Sequence, residues 1–209
     1  MDALPLVFLF VVVLFASAVN TVAGAGSLLV LPALMFSGLD ASSANATNRV
    51  GILVQTAVAL LAYRRAGQVL GVRELRLTLA TMLGGALGSF LATMLQADEL
   101  RVAILVAMVL MLGLSLLPKR KSAKRPSDAK PALPEPTPAM YAGFFVIGIY
   151  GGFLQAGVGI LVMLFLLHAF QVDALVSNVV KSAATFGLTV VALSVFAARG
   201  EHIDAPRGL

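Results

Sequence analysis

Residues 24–48 read GAGSLLVLPALMFSGLDASSANATN, an apolar run that is interrupted first by glycines and then by small polar residues. The same arrangement returns at residues 157–181, GVGILVMLFLLHAFQVDALVSNVVK, at a constant offset of 133 residues and without a gap. Glycine lowers helix propensity and frees backbone groups, so each stretch predicts an interrupted helix. The repetition predicts two similar halves that meet at the interruptions.

The composition places this pattern in a membrane. Hydrophobic residues make up 59% of the 209 residues and charged residues only 12%, whereas soluble domains have roughly 45–50% and 25%. Several runs approach the roughly 20 apolar residues that a helix needs to cross a bilayer. The predicted fold class is all-α: a polytopic helical membrane protein of two homologous repeats with glycine-broken helices.

Charge patterning predicts the domain organisation. The net charge of +5 comes from basic residues in loops beside apolar runs, which is typical of cytoplasmic loops and does not indicate nucleic-acid binding. We predict a first transmembrane repeat at 1–118, a basic, proline-rich cytoplasmic linker at 119–138 and a second repeat at 139–209. The second repeat lacks counterparts of the last two spans of the first, so we expect it to be truncated. The expected location is the inner (plasma) membrane, with several spans.

Two features near the ends of the repeats leave alternatives open. The apolar run at 4–23 resembles a signal peptide, but the residues before it include Asp2 and no basic residue, so we interpret the run as part of the first repeat.

If each broken region crosses the membrane once, the halves run parallel; if its two parts cross separately, the halves are inverted. The mixed charge of 198–208, against the basic loop at 64–76, favours the inverted arrangement.

Interrupted helices predict a binding site. Backbone groups freed at membrane depth are tolerated where they are buried in protein or line a wet cavity, and transporters use them to bind substrate. A helix that starts near Ser27 would direct its positive end towards such a cavity, which favours an anion. The alternative is that the glycines serve close helix packing alone, as we expect for the Gly84-x-x-x-Gly88 pattern.

Polar residues at two helix starts complete the predicted site. A lysine at the centre of a span costs about 2.5–3.5 kcal/mol, so Lys181 is expected to face a cavity or a partner unless it extends to the membrane surface. Arg49 has the same two interpretations, and Asp40 and Asp173 are expected to cap helices. The predicted substrate-binding residues are Gly24, Gly26, Ser27, Asn45, Asn48, Gln155, Gly157, Gly159, Asn178 and Lys181.

The sequence does not favour an enzyme. It contains no HExxH, no GxSxG and no pair of intramembrane aspartates, so it offers no metal site, nucleophile or carboxylate dyad. His168 and His202 have no further ligand residues at metal-binding spacing. We therefore predict no catalytic residue, no metal and no cofactor.

Three stretches carry a resemblance to a known family. Residues 20–50, residues 148–164 and the VSNVVK of residues 176–181 resemble the TauE/SafE family of sulfite and sulfonate exporters, which are inner-membrane proteins of bacteria and archaea. The first glycine cluster departs from the usual run of three glycines at Ala25. The positions that coincide with the family's pattern are Gly24, Gly26, Pro32, Asn45, Gly157, Gly159, Asn178 and Lys181.

The resemblance implies a secondary transporter that exports a small anion, such as sulfite or an organosulfonate, across the plasma membrane by alternating access. It also implies two further helices beyond Leu209. The implied partners are the anionic substrate and the lipid bilayer, and association of copies into a homo-oligomer stays open. The alternatives are a non-transporting membrane component or inactive remnant, and transport of a cation or metabolite by the same fold.

Overall fold

The computed structural model describes residues 14–16, 26–115 and 132–208, and every regular element within these ranges is helical. The predicted all-helical class is thereby confirmed for the described chain. Residues 24–25 of the predicted first break and residues 119–131 of the predicted linker lie outside it. The helices are α1 Ser27–Phe36, α2 Ala41–Arg65, α3 Val72–Ala92, α4 Ala97–Ser115, α5 Pro138–Phe153, α6 Val158–Leu164, α7 Ala174–Ala198 and α8 Ala205–Gly208, with a π-helical turn over Phe165–Ala169 that continues α6.

The helices α2 and α7 begin alike. Each has 25 residues and follows an aspartate whose carboxylate accepts hydrogen bonds from the first-turn backbone. Asp40 accepts from the N–H of Ser43 at 3.0 Å, and Asp173 accepts from the N–H of Leu175 at 2.8 Å. These bonds satisfy donors that a helix start otherwise leaves unpaired. The predicted capping role of both aspartates is confirmed.

The helices α2 and α7 run in opposite directions. Val176, in the first turn of α7, lines a groove of about 350 Å³ together with Gln68, which follows α2, and Leu133, which precedes α5. At the opposite end of the bundle, the hydroxyl of Ser42 near the start of α2 donates a hydrogen bond to Glu201 beyond α7. The start of each helix therefore lies at the end of the bundle where the other one finishes.

The C-terminal segment packs back onto α2, a contact that the sequence did not indicate. The N–H of Asp204 donates to the hydroxyl of Thr47 at 3.0 Å, and Asp204 pairs with Arg207 at 3.2 Å. A Cβ atom on Gly51 would overlap the backbone of Gly208. Two glycines therefore let the segment approach the first half of α2 at backbone distance.

The closest helix pair is α3 and α5. A Cβ on Gly84 would overlap the carbonyl oxygen of Phe145, and one on Gly88 would overlap that of Ile149. Gly152 on α5 makes the reciprocal approach to the backbone of α3. The predicted role of the Gly84-x-x-x-Gly88 pattern in close packing is confirmed.

The helices α5 and α6 form a hairpin whose tip lies inside the bundle. The ring of Phe144 on α5 meets that of Phe165, just beyond α6, edge to face at 6.0 Å. Nearer the tip, the side chain of Val158 lies against Gly151. The largest core cluster joins this hairpin to α3 and α7 and includes Leu77, Met140, Phe144, Ile147, Val162, Leu166, Val180 and Leu188.

The outer surface of the bundle is apolar. Among the described helices, Val72–Ala92 and Ala174–Ala198 are long and apolar enough to cross a membrane. Large apolar side chains also face outward from α3 and α4, where water would be an unfavourable solvent and lipid a favourable one. The exposed set on these helices includes Leu79, Leu83, Leu87, Val102, Leu105, Val106, Val109 and Leu110.

Candidate functional site

The chain leaves helical geometry between Phe153 and Val158, inside the bundle. Gln155 and Gly157 have φ angles of +60° and +70°. These lie in the left-handed region, which residues other than glycine adopt at a cost in free energy. The phenol of Tyr150 donates a hydrogen bond to the carbonyl of Ala156 at 2.6 Å, which closes the turn. The side chain of Tyr150 is thus bound within the hairpin itself.

The start of α1 contacts this turn. The hydroxyl of Ser27 donates to the carbonyl of Gln155 at 3.2 Å and accepts from the N–H of Gly157 at 3.2 Å. Gly26, the residue before α1, is buried beside it. One side chain therefore connects α1 to the α5–α6 turn, which lies about 130 residues further along the chain.

Two side chains of α2 bind the end of α5. The last carbonyls of a helix have no partner within it, and here those of Gly152 and Phe153 face α2. Arg49 Nη2 donates to the first at 2.6 Å, and Asn45 Nδ2 donates to the second at 2.9 Å. The end of α5 is thereby satisfied within the protein interior.

Arg49 is fully buried and makes contacts that were not predicted from the sequence. Its Nη1 donates to the carbonyl of Gly151 at 3.1 Å and to Oε1 of Gln155 at 2.7 Å, and its guanidinium lies 4.8 Å from the ring centre of Phe196. None of its partners among the described residues is a carboxylate. The signal in the sequence was an arginine two turns into an otherwise uncharged helix start, but its partners at the end of α5 and at Gln155 lie more than 100 positions away.

Lys181, on α7, is enclosed within the helix bundle. Its side chain is 6% exposed, and Nζ donates to Oδ1 of Asn178 at 2.8 Å. Asn178 is half-buried and donates in turn to the carbonyl of Ala174 at 3.0 Å. Lys181 was expected either to face a cavity or partner or to extend to the membrane surface. The structure places it in an enclosed position.

A small cavity lies among these elements. Its volume is about 20 Å³, room for about one water molecule. The hydroxyl of Thr185, buried at its wall, has no hydrogen-bond partner among the described residues. The residues that line the cavity are Ser27, Ile52, Thr56, Gln155, Val158, Gly159, Lys181, Ser182 and Thr185.

The predicted residues divide into groups. Ser27, Gln155, Gly159 and Lys181 line the cavity, whereas Asn178 reaches it only through Lys181. Asn48 is 2% exposed, and its Nδ2 has no partner among the described residues. The others stand apart from the cavity wall: Gly26, Asn45 and Gly157 belong to its surroundings, and Gly24 lies outside the described residues.

Apolar helices around an enclosed arginine, an enclosed lysine and a non-helical turn inside the bundle are features typical of one class, the membrane transport proteins. Comparison with known families agrees: the chain belongs to the family described as Sulfite exporter TauE/SafE, whose family model matches residues 9–209. The predicted family resemblance is confirmed.

Two relatives show how much of a family protein this chain spans. It is 29% identical over 196 residues to "Probable membrane transporter protein ORF9" of Sinorhizobium sp, which covers 91% of this chain and 72% of that protein. It is 33% identical over 153 residues to "Probable membrane transporter protein YfcA" of Escherichia coli strain K12, covering 72% of this chain and 55% of that protein. No solved structure matches the chain.

Proposed function

We propose that this chain transports a small anion, with sulfite or an organosulfonate as the substrate class, and that the anion binds at the cavity between α1, α2, α6 and α7. The observation that carries the proposal is the convergence, at one cavity, of a buried ammonium group, Lys181, and the hydroxyl of Thr185, which has no hydrogen-bond partner among the described residues. Hydrogen bonds to charged groups are stronger than neutral ones, and the start of α1 adds its positive end.

The direction of the helices supports an inverted pair of repeats. The helices α2 and α7 are equal in length, start 133 positions apart and run in opposite directions. Transporters of this kind bind substrate where two such repeats meet, at interrupted helices. Under this proposal the repeats occupy 1–118 and 139–209, the linker at 119–138 is cytoplasmic, and the chain is a multi-pass protein of the inner membrane.

The size of the cavity supports a closed state of an alternating-access cycle. Sulfite has four non-hydrogen atoms, whereas the cavity volume of about 20 Å³ holds a single water molecule. Entry of the anion therefore requires the cavity walls to separate. Separation towards one end of the bundle at a time would carry the anion across.

Flux measurements in proteoliposomes test the proposal. The wild type and Lys181→Ala would be compared for uptake of radiolabelled sulfite and methanesulfonate, with Arg64→Ala as the matched control. Arg64 is an exposed basic residue at the end of α2, so this variant also removes one positive charge but does not touch the cavity. We expect flux with the wild type and the control, and a loss of at least about tenfold with Lys181→Ala.

Two outcomes would overturn the proposal. Absence of sulfite and sulfonate flux with the wild type would favour a non-transporting membrane component. Equal flux with Lys181→Ala and Arg64→Ala would remove the cavity from the transport path.

A further inference from the structure

The end of α5 creates an electrostatic difficulty next to the proposed anion site. The carbonyl end of a helix carries a partial negative charge, and α5 ends at Phe153, two residues before the cavity-lining Gln155. An anion in the cavity would be repelled by this end if it were left uncompensated. The compensating group in the structure is Arg49, whose guanidinium binds the carbonyls of Gly151 and Gly152.

We infer that Arg49 is the positioning residue of the anion site: from α2 it caps the negative end of α5 and, through Gln155, fixes one wall of the cavity. This inference rests on the proposed function. Arg49 itself is not part of the cavity wall, and it is 0% exposed. It therefore acts on a bound anion through another residue.

A chain of hydrogen bonds connects Arg49 to the cavity wall. Arg49 Nη1 donates to Oε1 of Gln155 at 2.7 Å, and Nε2 of Gln155 donates to Oγ1 of Thr189 at 3.0 Å. The backbone carbonyl of Gln155 accepts from Ser27, another polar residue of the cavity wall. Both ends of the Gln155 amide are occupied, so its left-handed backbone and its side chain are held in one orientation.

The chemistry of the guanidinium suits this role better than that of an ammonium. Arginine presents a planar fork of donors, and here two of its nitrogens reach two carbonyls and one side-chain amide at once. A lysine at the same position would keep the positive charge, but its three N–H donors share one nitrogen and could not reach the acceptors that two guanidinium nitrogens bind here. Arg49→Lys therefore separates positioning from charge.

Transport kinetics provide the first test. With sulfite as the probe in proteoliposomes, we expect Arg49→Lys to raise the apparent KM about tenfold and to change the maximal rate less. A purely structural role would lower the amount of folded protein, and with it the maximal rate, at an unchanged KM. Arg73→Lys is the control, because Arg73 forms an exposed ion pair with Glu135 and its variant should keep the wild-type KM.

A double-mutant cycle tests the route through Gln155. If Arg49 acts through that residue, Arg49→Lys should have little further effect on KM in a Gln155→Ala background. Independent effects of the two substitutions, or an unchanged KM with Arg49→Lys alone, would overturn the inference.

A second measurement does not depend on transport. The chain has no cysteine, so a single cysteine can report on the turn: Ala156 at the tip is 0% exposed, and Met140 at the far end of α5 is also 0% exposed. We expect Arg49→Lys to speed maleimide labelling of Ala156→Cys about tenfold and to leave that of Met140→Cys unchanged.

The two measurements fail separately. Absence of sulfite flux with the wild type would remove the proposed function, while the labelling experiment would still decide whether Arg49 holds the turn. Equal labelling of Ala156→Cys in both backgrounds, or equal acceleration at both cysteines, would overturn the positioning role even if sulfite is transported.

Discussion

The starts of α2 and α7 are equivalent in sequence position and different in what their cations do. Position 48 is asparagine where position 181 is lysine, and position 49 is arginine where position 182 is serine. The arginine binds the end of α5, whereas the lysine binds Asn178 and lines the cavity. Moving the charge by one position along equivalent helices thus separates a cation that holds the protein from one that faces the proposed ligand.

The largest effect expected from this difference is on stability. Arg49→Ala would leave the carbonyl of Gly152 without its donor in the interior and would free Gln155. We expect a loss of about 3 kcal/mol in the free energy of unfolding, measured by thermal or chemical unfolding in detergent. Arg64→Ala should stay within about 0.5 kcal/mol of the wild type, and equal stability of the two variants would contradict the holding role of Arg49.

Two buried serines that line the cavity sharpen the comparison between the halves. Ser27 bridges Gln155 and Gly157, whereas the hydroxyl of Ser182 donates only within its own helix, to the carbonyl of Asn178 at 2.9 Å. Ser27→Ala should destabilise the protein by about 2 kcal/mol, because the buried N–H of Gly157 loses its acceptor. Ser182→Ala should cost much less, since the bond that it removes lies within one helix. A reversed order in the same unfolding experiment would show that the contact with α1 does not stabilise the turn.

The lysine should affect binding more than stability. Replacing a buried charge by an apolar side chain of similar length is often neutral or stabilising, so Lys181→Met should unfold at or above the wild-type temperature. Its sulfite affinity, measured by isothermal titration calorimetry in detergent, should fall at least about tenfold because a charged donor is lost. A variant that unfolds like Arg49→Ala but keeps its sulfite affinity would place both cations in the same structural role.

The smallest effects should be equal in the two halves. Asp40→Ala and Asp173→Ala each remove an N-cap, and each should cost about 1 kcal/mol in the free energy of unfolding. A clearly unequal pair of losses would show that the two helix starts are not equivalent.

The cap at Asp40 also predicts a dependence on pH. Partial burial opposes ionisation, but hydrogen bonds from the N–H and hydroxyl of Ser43 outweigh it and lower the pKa of Asp40. A lowered folded-state pKa stabilises the fold at pH values above about 4 and loses this contribution as the pH falls further. The stability difference between wild type and Asp40→Ala should therefore shrink in acid.

Local signals in the sequence predicted much of the fold. The start of α1 at Ser27 and the starts of α2 and α7 after Asp40 and Asp173 lie where the glycines and the capping aspartates placed them. The helix α3 begins at Val72, where Glu74 in its first turn accepts a hydrogen bond from the N–H of Gly71 and so caps it. A glutamate in the first turn is stabilising at this end of a helix.

The site was harder to predict, because its contacts connect distant parts of the chain. Lys181 could be singled out from its own helix, since a lysine in an apolar run is costly wherever its partners are. The role of Arg49 depends on its hydrogen bonds to carbonyls of α5, and a sequence pattern does not show that these carbonyls lie next to α2. Asn48 looked equivalent to Lys181 by position, yet it lies outside the cavity wall.

The glycine contacts between α3 and α5 have a mechanical consequence. Backbones touch with no side chain between them at Gly84, Gly88 and Gly152, so we expect the two helices to move together as one unit. We then expect the cavity to open by movement of other elements that line it, such as α1, α2 and α7, relative to this pair. The α3–α5 pair is then the reference against which movement of the other helices can be measured.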